Sequence, residues 1–173
     1  MTENADAETA LRDHLAETQP GIDHHIEPLE VGIEGWTFFR TEAVNVDDSV
    51  PSCAVVRDDG TVVTENPAEE LGRVFQSLAV HDGDPPIRKL TEAARALLAK
   101  RTRPVYSENV ERISSQYGVR SPEPPQVDYT DGSLVLTFLA DAGGRRPVLN
   151  RYVVTVSPDY VIEWGHERIA TMR

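Results

Sequence analysis

Residues 127–164, VDYTDGSLVLTFLADAGGRRPVLNRYVVTVSPDYVIEW, decide the fold class. Turn residues separate four runs that are rich in β-branched and aromatic side chains. Such spacing is typical of an antiparallel meander, in which each strand pairs with the next. The predicted strands cover 127–129, 134–140, 148–156 and 160–164, with turns at Asp131-Gly132, Gly143-Gly144 and Pro158-Asp159.

The segments before this meander repeat its arrangement about one hundred residues earlier. A helix over 107–117, with Ser107 as its cap and Gly118 as its stop, precedes the meander, and a helix over 7–18 begins the chain. Strands then follow at 26–33, 36–44, 53–57 and 61–64, and the Asp59-Gly60 turn is predicted to be type I′. The order is consistent with a duplication, although helix-plus-meander is also a common way to bury one face of a sheet.

Two proline-led helices join the halves. Asn66-Pro67 predicts one helix start and Asp84-Pro85 predicts another, which opens a helix over 85–101. We therefore expect an α+β fold of two helix-plus-antiparallel-meander units joined by helices. Its parts are an acidic unit over 1–83, a connecting helix over 84–103 and a second unit over 104–173.

Composition narrows the class of protein. The chain has 173 residues, 39% of them hydrophobic, and no apolar run approaches the length of a membrane span. The polar start MTENADAETA does not match a secretory signal peptide, and the single Cys53 excludes an intrachain disulfide or a multi-cysteine metal site. We expect a soluble cytoplasmic protein.

Charge is distributed unevenly along the chain. Residues 1–70 contain 17 Asp and Glu against three Arg, whereas residues 71–173 contain 12 acids against 14 bases. An acidic first half repels nucleic acid and anionic membranes and attracts a basic protein at long range. The alternative is that these acids serve only solubility.

Motifs for covalent chemistry are weak. No P-loop, dinucleotide-binding fingerprint or Gly-x-Ser-x-Gly elbow occurs. Each residue that could bind a metal or act in catalysis has a simpler structural explanation as a cap, turn or packed side chain, so we expect no catalytic residue, no cofactor and no metal. These residues are His24, His25 and Glu27, then Cys53, then His81, Asp82 and Asp84, and finally His166.

The run Gly35-Trp36-Thr37-Phe38-Phe39 is more informative. It is followed by a loop, by the hairpin Ala54–Val63 and by a proline-led helix. Over residues 7–78 this order resembles the YrhB-type immunity proteins of bacterial polymorphic toxin systems. The resemblance implies a small non-catalytic α+β protein that binds and neutralises a toxin, and it provides no catalytic residue.

These observations lead to a protein-binding hypothesis. The chain is expected to present aromatic and acidic side chains to a basic partner, which could be a toxin. The candidate contacts are Trp36, Phe39, Glu42, Asp47 and Asp48. One alternative is a cone-shaped, cystatin-like domain that binds a small apolar ligand, or an enzyme built on it with His24, His25 or His166 as the base. Another is an oligomeric accessory protein.

Overall fold

The computed structural model describes residues 2–47, 49, 52–64, 69–70, 72–75, 86–98, 102–159 and 161–172. Within them the α+β class is confirmed, with helices and two antiparallel sheets. The helices are α1 (Thr2–Thr18), α2 (Ile87–Leu97) and α3 (Val110–Tyr117), which follows a 3₁₀ turn at Ser107–Asn109. Residues 69–70 and 72–75 are also helical.

The strands form one sheet in each half of the chain. The first sheet has the order β1-β2-β3-β4, made by β1 (His24–Ile33), β2 (Trp36–Ala43), β3 (Ser52–Arg57) and β4 (Val62–Val63). The second has the order β5-β7-β8-β9, with β6 beside β5 on the same edge of β7. It is made by β5 (Arg103–Pro104), β6 (Gln126–Thr130), β7 (Ser133–Asp141), β8 (Val148–Val156) and β9 (Ile162–Thr171).

The two Asp-Gly turns differ. Asp131 and Gly132 both have positive φ, at 51° and 77°, as a two-residue type I′ turn requires. At the earlier turn Gly60 has φ of 82°, but Asp59 is not in the left-handed region, and Arg57 bonds across to Thr61. That geometry is a three-residue loop with glycine in the left-handed position, so the type I′ prediction for Asp59-Gly60 is wrong.

Helix starts also depart from the sequence predictions. Pro86 is the N-cap of α2, so this helix begins at Ile87, two residues later than predicted. The expected cap, Asp84, lies outside the described residues, as does Asn66. Ser107 does not cap the third helix, because Tyr106 precedes the 3₁₀ turn and Asn109 precedes α3, neither with a side-chain bond. Gly118 does end α3, with φ of 67°.

Three clusters of buried side chains define the layers. In the first, α1 covers one face of the first sheet. The second contains the other face of that sheet, helical residues 74–75, α2 and one face of the second sheet. In the third, α3 covers the opposite face of the second sheet. Both halves of the chain thus contribute to one continuous central core, and both faces of the first sheet are covered.

Candidate functional site

The aromatic residues predicted to meet a partner have structural roles instead. Phe39 is fully buried, in the cluster that also contains Leu11 and Leu15 of α1. Its side chain is therefore not available as a contact, which corrects the prediction. Phe39 is not exposed because α1 covers its face of the sheet, and the central core covers the other face.

The predicted acidic contacts lie in different surroundings. Glu42 is half-buried, and its carboxylate is 3.9 Å from the Arg40 guanidinium, which also lies 3.5 Å from Glu27. Asp47 is exposed in the segment after β2, and Asp48 lies outside the described residues. Among the predicted contacts that the structure describes, Asp47 has the exposed charge expected of a recognition residue.

Trp36 and Arg57 converge on Glu70, which has 2% of its surface exposed. The Trp36 indole N–H donates to Glu70 Oε1 at 2.6 Å. Arg57 donates from Nε to Oε1 at 2.8 Å and from Nη2 to Oε2 at 2.6 Å. This two-bond fork ties β2 and β3 to the helical residues 69–70, so the half-buried Trp36 is held as part of the scaffold.

The charge of Glu70 is maintained by those donors. Burial disfavours the ionised form and by itself would raise the Glu70 pKa, but the hydrogen bonds from Arg57 and Trp36 outweigh it and hold the pKa below its usual value. The same bond to Glu70 raises the pKa of Arg57. Both groups are ionised at neutral pH, and they are hydrogen-bonded to each other within the protein.

The outer face of α1 carries a stripe of exposed carboxylates. Asp6, Asp13 and Glu17 lie on one side of the helix, away from the face that buries Leu11. Arg12, the one Arg or Lys in α1, bonds to Glu8 at 2.6 Å. We call Asp6, Asp13 and Glu17 the α1 acidic stripe.

Further exposed carboxylates continue along β1 and its turn. Glu27, Glu30 and Glu34 are exposed there, although Glu27 lies near Arg40. With the α1 acidic stripe they give the first half of the molecule an anionic outer surface. In the second half, exposed arginines are interspersed with acids, for example Arg151 bonded to Glu167 at 2.7 Å.

Potential metal ligands and bases are dispersed. His24 shares a hydrogen bond of 2.9 Å with Gln19, His25 is exposed, and Cys53 is buried. Among the described residues, no group of three or more His, Cys, Asp or Glu is placed to hold a metal ion. His81, Asp82 and Asp84 lie outside the described residues, and His166 stacks on Tyr152.

One open groove on the surface has a volume of about 550 Å³. It follows the β1–β2 turn and includes Glu30, Glu34 and Asp58 in its lining. Between the two sheets, Leu90, Ala93 and Ala94 of α2 belong to the same buried cluster as both sheet faces. Helical side chains occupy that space, which weighs against a cone-shaped apolar ligand site there.

Comparison with known proteins adds no assignment: no family model, no curated protein and no solved structure matches the chain. Among the described helices, none combines the length and apolar composition needed to cross a membrane.

The last strand differs most from its prediction. The sequence predicts a strand over 160–164, but β9 spans Ile162–Thr171, and most of its residues are exposed. Trp164 itself is 44% exposed. The residues directly after Trp164, 165–168, are exposed and lack the hydrophobic alternation by which strands are recognised, so the sequence does not indicate this strand.

Proposed function

We propose that this chain is a protein-binding module that recognises a basic partner through its anionic first half. The observation that carries this proposal is the α1 acidic stripe, in which three exposed carboxylates line one side of a helix whose single basic side chain is already paired. The earlier contact set is revised accordingly, with Asp6, Asp13 and Glu17 replacing Trp36 and Phe39.

Electrostatics support this choice of partner. Carboxylates on one surface raise the association rate with a cationic protein and repel anionic partners such as nucleic acid. The attraction between exposed charges is screened over a Debye length of about 8 Å at physiological ionic strength, so the binding should weaken as salt is added.

The resemblance to immunity proteins suggests the biological setting of this binding. A protein that neutralises a basic toxin needs a stable scaffold and a complementary charged surface, and needs no catalytic group. Toxin neutralisation is thus the specific form of the proposed function, and it supplies a second readout, which is loss of the partner's activity upon binding.

A charge-reversal pull-down tests the proposal. Tagged wild-type chain is incubated with host lysate at low salt beside the triple variant Asp6→Lys, Asp13→Lys, Glu17→Lys. A second triple variant makes the same change in net charge in the other half, at exposed Glu111, Glu123 and Asp128.

We expect a basic partner, identified by mass spectrometry, that is captured by the wild type and the second variant and is lost with the α1 variant. The purified partner should be inhibited by the wild-type chain and not by the α1 variant. Equal capture by both triple variants would show that the α1 acidic stripe does not bind it.

A further inference from the structure

Strand β9 stands at one end of the described strand order of the second sheet. Its burial pattern is mostly exposed over ten residues, which contrasts with the buried alternation of β8 beside it. Tyr152 of β8 stacks on His166 with ring centroids 5.3 Å apart, and Trp164 stacks on the same imidazole at 6.3 Å. The strand thus presents a row of ordered aromatic rings on one face.

This edge lacks the proline and the short length found at the two edges of the first sheet. Edge strands usually carry proline, bulges or charged side chains, or are very short, and these features prevent pairing with another chain. Strand β1 has Pro28 and a register shift between Leu29 and Ile33, and β4 has two residues. Strand β9 keeps regular pairing with β8 from Ile162 to Arg168 before its own register shift.

The alternation of hydrogen bonds between β8 and β9 shows which backbone groups of β9 point away from the sheet. Ser157 donates to the carbonyl of Val161 across the β8–β9 turn. Because antiparallel pairs alternate between bonded and non-bonded positions, the backbone groups of Ile162, Trp164, His166 and Arg168 point away from β8. Their side chains share the face that carries the stacked rings.

Two copies of β9 can pair antiparallel with each other in a register that brings complementary side chains opposite one another. Two-fold symmetric antiparallel pairing about Gly165 sets Glu163 opposite Glu167 twice, which is unfavourable. Pairing about His166 sets Arg168 opposite the exposed indole of Trp164 in both copies and leaves Glu167 opposite Gly165. That register matches an arginine with an aromatic face and places no like charges directly opposite each other.

We propose that β9 is a self-association edge: two copies of this chain pair their β9 strands antiparallel about a two-fold axis at His166, joining two five-stranded sheets into one. The arrangement is isologous, since each copy offers the same edge. It is separate from the α1 acidic stripe, so the homodimer retains two anionic surfaces for the proposed partner.

Cysteine cross-linking tests the register directly. At a hydrogen-bonded antiparallel pair the two Cα atoms lie about 5.5 Å apart, which suits a disulfide. We expect His166→Cys to form a covalent dimer under mild oxidation, visible on a non-reducing gel. Glu163→Cys is the control, because the two copies of residue 163 are separated by about 20 Å in this register. A dimer band from Glu163→Cys equal to that from His166→Cys would overturn the proposal.

Light scattering of the full chain tests the association itself. We expect a particle of twice the 19.2 kDa chain mass that dissociates on dilution. Trp164→Lys should raise the dissociation constant by at least about tenfold, because it replaces the aromatic partner of Arg168 with a like charge in both copies. Tyr129→Glu, at an aromatic residue that is 60% exposed on β6, should leave the constant unchanged. A second variant, His166→Pro, removes an outward N–H while sparing the bonds to β8.

Three results would overturn the proposal. The first is a wild-type chain that remains a monomer at every concentration. The second is a dimer that persists in folded Trp164→Lys and His166→Pro variants, with folding checked by circular dichroism. The third is an edge that becomes protected from hydrogen exchange only when a different protein is added, which would assign it to another occupant.

Discussion

Glu70 is a carboxylate removed from water and supplied with replacement hydrogen bonds. Trp36 and Arg57 donate three hydrogen bonds to it, at 2.6–2.8 Å. A buried charge whose partner is removed is costly, because the remaining group can no longer recover its hydration. Arg57 retains 26% side-chain exposure, which limits that cost.

The first prediction concerns Glu70→Ala. We expect the free energy of unfolding to fall by about 2–4 kcal/mol, since Trp36 and Arg57 both lose their acceptor. Trp36→Phe keeps most of the packing and removes one hydrogen bond, so its cost should be about 1 kcal/mol. Urea denaturation measures both, and equal costs for the two variants would show that the ion pair adds nothing.

The second prediction concerns pH. The pKa of Glu70 is lowered in the folded state from its usual 4.5, so the folded protein holds the ionised form more strongly than the unfolded chain does. The stabilisation is fully present above pH 4.5 and is lost as pH falls through the lower folded-state pKa. The difference in unfolding free energy between wild type and Glu70→Gln should therefore shrink on acidification, as measured by urea titrations at several pH values. A difference that is constant with pH would contradict this.

The third prediction separates stability from binding at Phe39. Because this ring is fully buried beneath α1, Phe39→Ala should cost about 3–5 kcal/mol of unfolding free energy. The milder Phe39→Leu should remain folded and capture the basic partner as the wild type does. Loss of capture by folded Phe39→Leu would restore this residue to the contact set.

Elements were predictable where local chemistry decides them. The helix over 7–18, the hairpin at Asp131-Gly132 and the stop at Gly118 follow from periodicity and from residues that tolerate positive φ. Helix starts were less predictable, because several neighbouring residues can serve as the first helical residue: α1 begins at Thr2 instead of residue 7, and α2 begins at Ile87 instead of residue 85. The loop at Asp58–Gly60 was misassigned because an Asp-Gly pair suits both two-residue and three-residue hairpins.

The fourth prediction compares the two turn glycines. Both have positive φ, so alanine is strained at either position. A Cβ at Gly60 meets nothing within 4 Å, whereas a Cβ at Gly132 lies 3.3 Å from Pro158 Cγ. Gly60→Ala should cost about 1–2 kcal/mol, and Gly132→Ala should cost more. Thermal denaturation checks the order, and a greater loss at Gly60 would contradict it.

At the scale of the whole molecule, the two halves share one core. Val55 of the first sheet and Leu136 of the second lie in the same buried cluster, with α2 residues among them. The fifth prediction is that the chain unfolds in one transition. Val55→Ala and Leu136→Ala should each lower the same midpoint, followed by far-UV circular dichroism and tryptophan fluorescence. Two separate transitions, each moved by one variant, would show independent halves.

The binding surface was harder to predict than the class of fold. Charge counts along the sequence indicated an acidic half. They could not show that one aromatic residue of β2 is buried in the core and that another donates a hydrogen bond to Glu70. Exposure depends on which helix covers which face, and that is a property of the assembled layers. The periodicity of residues 7–18 already predicts that Leu11 and Leu15 share one side of α1, and the structure confirms that this side is buried and that the α1 acidic stripe lies opposite it.

The proposed function depends on binding of a basic protein by the α1 acidic stripe. Its most direct test is calorimetric titration of the captured partner with the wild type and both charge-reversal variants over a range of salt concentrations. We predict a dissociation constant that rises with salt for the wild type, little change on reversal of Glu111, Glu123 and Asp128, and a loss of both affinity and salt dependence on reversal of Asp6, Asp13 and Glu17. An affinity for the wild type that is independent of salt, and is retained by the α1 variant, would contradict the claim.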